Sequence, residues 1–282
     1  MLFNLLNLLG IDFEEWFHPE LIQNVLTTEK KKFKVINGLD KILDFLIKHD
    51  TYATFFMVGE ILKEFPDILD KILDNGHEIA FHTMYHSRLD SKGFKEKFVN
   101  ELQEFAKLTN NKSMGFRAPT FSLNEKSSWI IDLLEEHNYL YDSSVVPAKS
   151  SMYGNPNAPK SPYKISSASL DSNDSRSKIT EFPLMVTKFL GKTIPAGGGF
   201  YLRTLPMSVT KKAIIEYEKK KIPGVFYIHS WELTPEFMPK IKLSTKNNFI
   251  TYHNLDKALI RMDELLSSFP FTSFERYIQK KY

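Results

Sequence analysis

The chain of 282 residues contains no cysteine. It therefore has no disulfide framework, no thiolate nucleophile and no cysteine-ligated zinc, so any bound metal must be held by His, Asp or Glu side chains. A large excess of one charge is also missing, because 37 basic and 34 acidic side chains are mixed along the sequence and give a net charge of +3 at pH 7. This balance argues against a nucleic-acid-binding protein.

Long hydrophobic runs are scarce. The first stretch, MLFNLLNLLGIDFEEWF, is apolar, but it lacks a basic segment and a small-residue cleavage site, and Asn4, Asn7 and Asp12 interrupt it. No other window reaches the roughly 18 to 20 apolar residues that a membrane span needs. We expect a soluble, cytoplasmic protein with no membrane span, whose first strand begins almost at once.

Apolar strand-like runs alternate with helical patterns along the chain. The run TYATFFMV, for example, precedes a helix that Pro66 opens and Gly76 closes. Repeated strand–helix units predict a parallel sheet with helices outside it, either open or closed into a barrel. We find no internal repeat and no clear linker, so we expect one domain over residues 1–282. The Ser/Pro/Asn-rich stretch at about 143–178 is interpreted as a long loop over one face, with an interdomain tether as the alternative.

Ionisable side chains follow the predicted strands where each strand ends. Barrel enzymes build their active sites at this edge of the sheet. Polar groups that converge there from five separate segments indicate a functional site more strongly than one histidine pair does. The residues are Asp12, Glu14, His82, His86, Arg117, Asp142 and His229.

The segment HTMYH and the segment IDFEEW together predict a metal site. On a helix or in a tight turn, His82 and His86 can face the same point. Strand periodicity sends Asp12 and Glu14 to one side and Glu15 to the other. Two carboxylates on one face repel each other unless a cation lies beside them. Zinc hydrolases and ferrous oxygenases both bind their metal through two histidines and one carboxylate. The alternative interpretation of the IDFEEW segment is an acid-rich helix start.

The order of segments resembles that of a known family. The segments are IDFEE, TFFMVGE, GHEIAFHTMYH, GFRAPTFS, YDSS, EFPL, AGGGFYLR and FYIHSWEL. In this order they are similar to the NodB-homology polysaccharide deacetylases of carbohydrate esterase family 4, nearest the subgroup encoded in bacterial exopolysaccharide biosynthesis loci. The resemblance extends from about Leu5 to Trp231. It implies a distorted (β/α) barrel of about seven parallel strands, one divalent metal per chain, usually zinc, and hydrolysis of N-acetyl groups on sugars.

The resemblance also implies roles for individual residues. Asp12 becomes the general base, Arg117 the residue that pairs with and orients it, and His229 the general acid. Asp142 lies where the family often keeps an acidic residue that tunes this histidine. The implied metal ligands are Glu14, His82 and His86. Many members have two adjacent aspartates, whereas here the second carboxylate is a glutamate displaced by one residue, so Glu14 and Glu15 remain alternatives and the same-face argument favours Glu14.

Several residues are candidates for contacts with the substrate. Trp231 and Phe17 are expected to form an apolar wall for the acetyl methyl group, with ordinary core aromatics as the alternative. A backbone N–H near Thr120 or Phe121 is expected to meet the oxyanion. Tyr201 and Arg203, beside the glycine run, are candidate sugar contacts.

Three functions follow from these patterns. The first is an N-deacetylase acting on an acetamido sugar, in a polysaccharide or in a nucleotide-linked or lipid-linked precursor. The second is an amidase acting on a non-sugar cyclic imide or ureide, and the third is a non-catalytic glycan-binding protein of the same fold. The sequence does not choose among the sugars, and a homo-oligomer is compatible with it.

Overall fold

The computed structural model describes residues 6–26, 31–150 and 152–281. The strand expected from Leu5 runs over Asn7–Phe13, and Leu5 itself lies outside the described residues. The strands are β1 Asn7–Phe13, β2 Thr54–Met57, β3 Glu78–Phe81, β4 Gly115–Phe116, β5 Tyr141–Asp142, β6 Tyr163–Lys164, β7 Thr180–Glu181, β8 Val186–Phe189, β9 Lys192–Pro195, β10 Val225–His229 and β11 Phe271–Thr272.

Helices follow most of the strands. They are α1 Glu20–Gln23, α2 Leu39–Lys48, α3 Gly59–Glu64, α4 Ile68–Asp74, α5 Lys95–Leu108, α6 Trp129–Glu136, α7 Gly199–Thr204, α8 Met207–Lys219, α9 Ser230–Leu233, α10 Thr245–Tyr252, α11 Ala258–Ser268 and α12 Phe274–Lys281. Short 3-10 helices cover Val35–Gly38, Pro119–Phe121, Glu125–Ser127, Pro235–Phe237 and Leu255–Lys257. Across the described ranges, every helix is too short or too polar to cross a membrane.

The main sheet has nine strands and is mostly parallel. Its order is β10, β1, β2, β3, β4, β5, β7 and β6, and β11 pairs with the start of β1. From β10 to β7, each strand runs parallel to the next one in this order. The last strand, β6, is antiparallel to β7. Within the part of the chain that is described, no pairing joins β6 to β10, so the sheet is a curled half-barrel. The predicted fold class is confirmed.

Alternation along β1 directs its side chains to two different surroundings. Leu9, Ile11 and Phe13 belong to the large core beneath the helices. Leu8 packs in a second apolar cluster, on the other side of the sheet. Because successive strand residues point to opposite faces, Asp12 shares the side of Leu8. This parity places the carboxylate of Asp12 on the concave side, at the carboxyl end of the strand.

The stretch at 143–178 is mostly irregular and packs against the sheet. Val145 and Ile165 are buried in the large core, and Val146 and Ala148 are buried in the second cluster. The Ile165 amide donates to the carbonyl of Ile179 at 3.1 Å. These contacts hold the loop beside the carboxyl ends of β4 and β5, where it can contribute to a site.

Candidate metal centre and active site

Three predicted ligands converge at the carboxyl ends of β1 and β3. The ligand atoms of Glu14, His82 and His86 all lie within 4.8 Å of one another, and all three residues are buried. The segment that carries the histidines is a turn rather than a helix, because Thr83 and His86 have left-handed φ angles of 59° and 54°. Such angles are uncommon for residues other than glycine and cost free energy, so the surrounding contacts must maintain them. One such contact is the hydrogen bond from the Met84 amide to Glu101 Oε2 at 2.9 Å.

The protonation of His82 suits a metal ligand. Its Nδ1 lies 2.7 Å from the carbonyl oxygen of Arg117. Since a carbonyl only accepts, Nδ1 donates and Nε2 keeps its lone pair. Burial lowers the pKa of His82 to about 4, so the ring is neutral at physiological pH. Metal-bound histidines usually donate their second ring N–H to a carbonyl or carboxylate in this way.

Two buried polar atoms at this centre lack hydrogen-bond partners among the described residues, namely Glu14 Oε2 and His86 Nδ1. His86 Nε2 is 2.9 Å from Glu14 Oε2, but the two atoms are not aligned as a hydrogen bond. A buried carboxylate oxygen without a donor is costly, and a cation would satisfy it. The donor set of two imidazoles and one carboxylate therefore fits a divalent metal.

Glu14, and not Glu15, faces the histidines. Glu15 accepts the three backbone amides of residues 34–36 at 2.9 to 3.0 Å and so caps the 3-10 helix that follows. Glu14 Oε1 accepts from Trp231 Nε1 at 2.9 Å. Burial alone raises the pKa of Glu14, but the neighbouring His86 and His229 outweigh this effect and hold that pKa below its usual range. The carboxylate is therefore ionised.

Asp12 is held by a buried arginine. Arg117 Nη1 donates to Asp12 Oδ1 at 2.6 Å, while Nε and Nη2 donate to the carbonyl and the hydroxyl of Ser143, both at 3.0 Å. The guanidinium lies 3.8 Å above the ring of Phe56. A Cβ atom at Gly10 would come within 2.6 Å of Arg117 Nη1, so this glycine leaves room for the guanidinium. Arg117 thus pairs with Asp12 through one hydrogen bond, and a two-bond fork is not formed.

His229, at the end of β10, belongs to a chain of buried charges. Its Nδ1 lies 2.7 Å from Glu232 Oε2, and Glu232 Oε1 accepts from Arg203 Nε at 2.6 Å. Burial alone lowers the pKa of His229, but the Glu232 carboxylate outweighs this effect and raises that pKa to about 9. His229 is therefore cationic at neutral pH. Its Nε2 points towards the centre and is 3.7 Å from Glu14 Oε1.

The carboxylate that contacts His229 is therefore Glu232, and the role expected of Asp142 is not found. Asp142 is fully buried and accepts from Ser144 Oγ at 2.5 Å. It stands opposite Glu181 in the pairing of β5 with β7. Asp142 Oδ2 and Glu181 Oε2 are both buried without a donor among the described residues, which indicates that one proton is shared between the two carboxyls. The strand register places Asp142 beside another acid rather than beside the histidine.

Replacement of Asp142 tests whether Asp142 and Glu181 share a proton, through the pH dependence of the free energy of unfolding. Burial raises the pKa of Asp142 to about 6. The proton therefore stabilises the fold below the unfolded-state pKa of about 4, and this contribution is lost as the pH rises through about 6. Asp142→Asn is permanently neutral, so we expect its free energy of unfolding to exceed that of the wild type by about 1 to 3 kcal/mol near pH 7. Near pH 4 the two should be similar.

Urea titrations across this pH range measure the difference, and Asp132→Asn, at an exposed helix position, is the control. A stability difference that does not change with pH would contradict the shared proton.

Two of the predicted substrate contacts also differ in the structure. Phe17 is 1% exposed and packs edge-on against Trp16 and Phe33, at ring distances of 5.5 and 5.4 Å, so it is a core aromatic. Arg203 is buried, and besides Glu232 its nitrogens donate to the carbonyls of His253 and Ile250 at 2.5 and 2.9 Å. Arg203 is part of the cavity wall beside His229, and each of its three guanidinium nitrogens bonds to a protein acceptor, so Arg203 holds Glu232 in place.

Most of the predicted site residues line one cavity of about 260 Å³, which we call the active-site pocket. Trp231 and Tyr201 contribute to its aromatic wall, and the Trp231 ring stacks on His229 at 4.8 Å. Thr120 and Phe121 lie at its edge with left-handed φ angles of 53° and 49°. The Phe121 amide already donates to the Ala118 carbonyl at 3.0 Å, so of the two candidate amides Thr120 N–H is the one that remains for an oxyanion.

Sequence reasoning missed three residues that support the centre. Glu232 follows His229 by three residues, a spacing that closes a capping box at the start of α9 and could have identified it. A Cβ atom at Gly199 would approach Glu232 Oε2 to 1.8 Å, which explains a glycine where α7 begins. His18 stacks on His86 at 6.2 Å, and its Nε2 is 2.5 Å from Glu60 Oε1. No local motif marks His18, because only the turn after β1 brings it to the centre.

A curled, mostly parallel sheet with a cluster of two histidines and one carboxylate defines the class as an α/β fold with a candidate metal site. Residues 35–140 match the polysaccharide deacetylase family, and residues 143–279 match a domain of unknown function (DUF3473). A peptidoglycan-N-acetylglucosamine deacetylase from Bacillus cereus is 37% identical over 70 residues, 25% of each chain. A chitooligosaccharide deacetylase from Sinorhizobium fredii is 38% identical over 56 residues, 20% of this chain and 26% of the relative. The matched segment thus spans about a quarter of these relatives.

The fold comparison extends over nearly the whole chain. A crystal structure from Mycobacterium smegmatis, described as a proposed polysaccharide deacetylase, superposes with a TM-score of 0.61 at 14% identity, covering 99% of this chain and 92% of that one. At this identity the likeness shows the fold alone. The likeness to polysaccharide deacetylases therefore rests on residues 35–140 and on segments that span about a quarter of the curated relatives.

Proposed function

We propose that this protein is a metal-dependent carbohydrate N-deacetylase, a hydrolase that removes the acetyl group from an acetamido sugar. The observation that carries the proposal is the presence of three groups in one pocket: the Glu14, His82 and His86 cluster, the Asp12–Arg117 pair and the His229–Glu232 pair. An amide hydrolase needs all three, because the carbonyl must be activated, water must lose a proton and the amine must gain one.

Glu14, His82 and His86 would hold one divalent metal, for which zinc is our assignment because two imidazoles and a carboxylate suit it. When bound, such a metal polarises a carbonyl and makes water more acidic. Asp12, oriented by Arg117, accepts the proton of the attacking water. The Thr120 N–H stabilises the developing oxyanion. His229, kept cationic by Glu232, donates a proton to the departing nitrogen.

The order of the sequence segments, which resembles that of the exopolysaccharide subgroup, further leads us to propose a role in bacterial polysaccharide biosynthesis. Mass spectrometry tests the activity directly on a panel of acetamido sugars, nucleotide sugars and chitooligosaccharides. We expect loss of an acetyl group from at least one of them, and retention of that activity when the panel is repeated with His137→Ala, a histidine outside the pocket. A panel with no loss of acetyl from the metal-loaded protein would contradict the proposal.

Replacing His229 should affect amides more than esters. His229→Ala removes the proton donor, so we expect a loss of roughly 10² to 10⁴ in kcat on an N-acetylated sugar. The loss on an activated O-acetyl ester should be much smaller, because an alkoxide or phenolate leaves without prior protonation more readily than an amine does. Steady-state kinetics of both substrates measure the contrast. Equal losses on the amide and the ester would remove His229 from the role of leaving-group acid.

A further inference from the structure

The ring of His86 is held differently from the ring of His82, the other histidine of the metal centre. His82 donates from Nδ1 to the carbonyl of Arg117, whereas nothing in the described parts of the chain forms a hydrogen bond with the buried Nδ1 of His86. A metal-bound histidine is usually oriented by a hydrogen bond at its second ring nitrogen. The orientation of the His86 ring therefore depends on the turn that carries it and on the side chains packed against it.

One of these side chains is the buried ring of His18. It lies nearly parallel to the His86 ring, at an interplanar angle of 19° and a centroid distance of 6.2 Å. The His82 ring meets His86 edge-on at 5.0 Å. Phe17 in turn packs edge-on against His18 at 4.6 Å. His18 thus restricts the rotation of the one ligand ring that has no hydrogen bond of its own.

Two hydrogen bonds fix the ring of His18 itself. The backbone amide of Glu15 donates to Nδ1 at 2.9 Å, and Nε2 lies 2.5 Å from Glu60 Oε1. Because an amide N–H only donates, Nδ1 carries the lone pair, and the ring proton is on Nε2, which donates to the Glu60 carboxylate. Both ring nitrogens are occupied, so His18 supports the centre without being a metal ligand.

Glu60 connects this ring to the turn that carries the two histidines. The Gly59 amide donates to the carbonyl of Thr83 at 3.0 Å, and the Glu60 amide donates to the carbonyl of Met84 at 2.9 Å. A Cβ atom at Gly59 would collide with the sulfur of Met84, so a glycine is needed for this close approach. The backbone of Glu60 therefore holds the histidine turn while its side chain holds His18.

His18 also holds the segment that carries the third ligand. The amide from which it accepts belongs to the peptide bond between Glu14 and Glu15. The His18 N–H donates back to the Glu15 carbonyl at 2.9 Å and closes the turn. The His18–Glu60 pair thus joins the end of β1, with Glu14, to the turn with His86.

From these contacts we propose that His18 and Glu60 are a positioning pair, which sets the His86 ring and the Glu14 segment in the arrangement that binds the metal. Neither residue touches the metal or the substrate. This role rests on the metal centre of the proposed function, and it is measured as metal affinity rather than as turnover.

Removing either partner should weaken metal binding. Glu60→Ala deletes the acceptor at a side chain that is 24% exposed, so the core is left intact. We expect the dissociation constant for Zn²⁺ to rise by about 10- to 100-fold, the usual effect of losing a residue that orients a metal ligand. His18→Phe keeps a ring but neither hydrogen bond, and should lose affinity in the same way. Glu60→Gln keeps an acceptor oxygen for His18 Nε2 and should retain most of the affinity.

The measurement is titration of metal-free, full-length protein with Zn²⁺ in competition with a chromophoric chelator. His49→Ala is the matched control, because His49 Nε2 lies 2.9 Å from Asp263 Oδ1 and this second histidine–carboxylate pair is outside the active-site pocket. Its Zn²⁺ affinity should equal that of the wild type. Thermal unfolding of the same metal-free samples separates a change in metal affinity from a change in fold stability.

Three results would overturn the positioning role. They are wild-type Zn²⁺ affinity in both Glu60→Ala and His18→Phe, an equal loss in His49→Ala, and a loss in Glu60→Gln as large as that in Glu60→Ala. A wild-type protein that binds no Zn²⁺ would overturn the metal centre of the proposed function together with the role of the pair. Tight binding by the wild type and by every variant would overturn the role of the pair alone.

Discussion

Asp12→Asn is expected to lower kcat on an N-acetylated sugar by roughly 10² to 10⁴, the range for losing a positioned acid or base. The amide is nearly the same size as the carboxylate and can still accept from Arg117, so the geometry of the pair survives. The amide cannot accept a proton from water, however, so the loss of the carboxylate base should raise the free energy of the transition state. We expect KM to change little, since the variant removes an interaction made during reaction rather than during binding.

The measurement is steady-state kinetics on the substrate found in the deacetylation panel, with metal content determined on the same samples. Asp142→Asn is the matched control, because it neutralises another buried carboxylate at a strand end that does not line the active-site pocket. It should keep most of the activity. A wild-type rate in Asp12→Asn would refute the mechanism, and an equal loss in Asp142→Asn would return Asp142 to a catalytic role.

The second large effect concerns the metal. Replacing both His82 and His86 by alanine should reduce bound metal from one ion per chain to background, because a single carboxylate in a buried site does not retain a divalent cation of this type. Elemental analysis of purified protein measures this outcome without reference to activity. Stoichiometric metal in the double variant would rule out the site.

Two single glutamate variants separate the adjacent acids. Glu14→Gln should lose most of the metal, since Glu14 Oε2 is the buried oxygen without a donor. Glu15→Gln should keep the metal and lose some stability instead, because Glu15 accepts three backbone amides of the segment that follows. The opposite pattern would show that the wrong carboxylate has been assigned to the metal.

Much of the architecture could be predicted from the sequence because it depends on periodicity. The alternation of apolar residues in β1 determines that Asp12 and Glu14 lie on one face, and the structure places both at the active-site pocket. The alternation of strand and helix patterns determines a mostly parallel sheet, whose parallel strands present their carboxyl ends at one edge. Residues at strand ends that are far apart in sequence are therefore brought together by a rule that needs no coordinates.

Side-chain partners could not be predicted in this way, since they depend on register and on how a turn leaves the strand. Asp142 faces Glu181 because β5 pairs with β7, a neighbour that is distant in the sequence. Phe17 is a core residue because the chain turns after Glu15. Arg203 reaches Glu232 only because α7 packs beside β10. The sequence by itself thus determined which residue types gather at the carboxyl edge of the sheet, and only the tertiary structure decided which charge pairs with which, because a pairing requires atoms within about 3 to 4 Å.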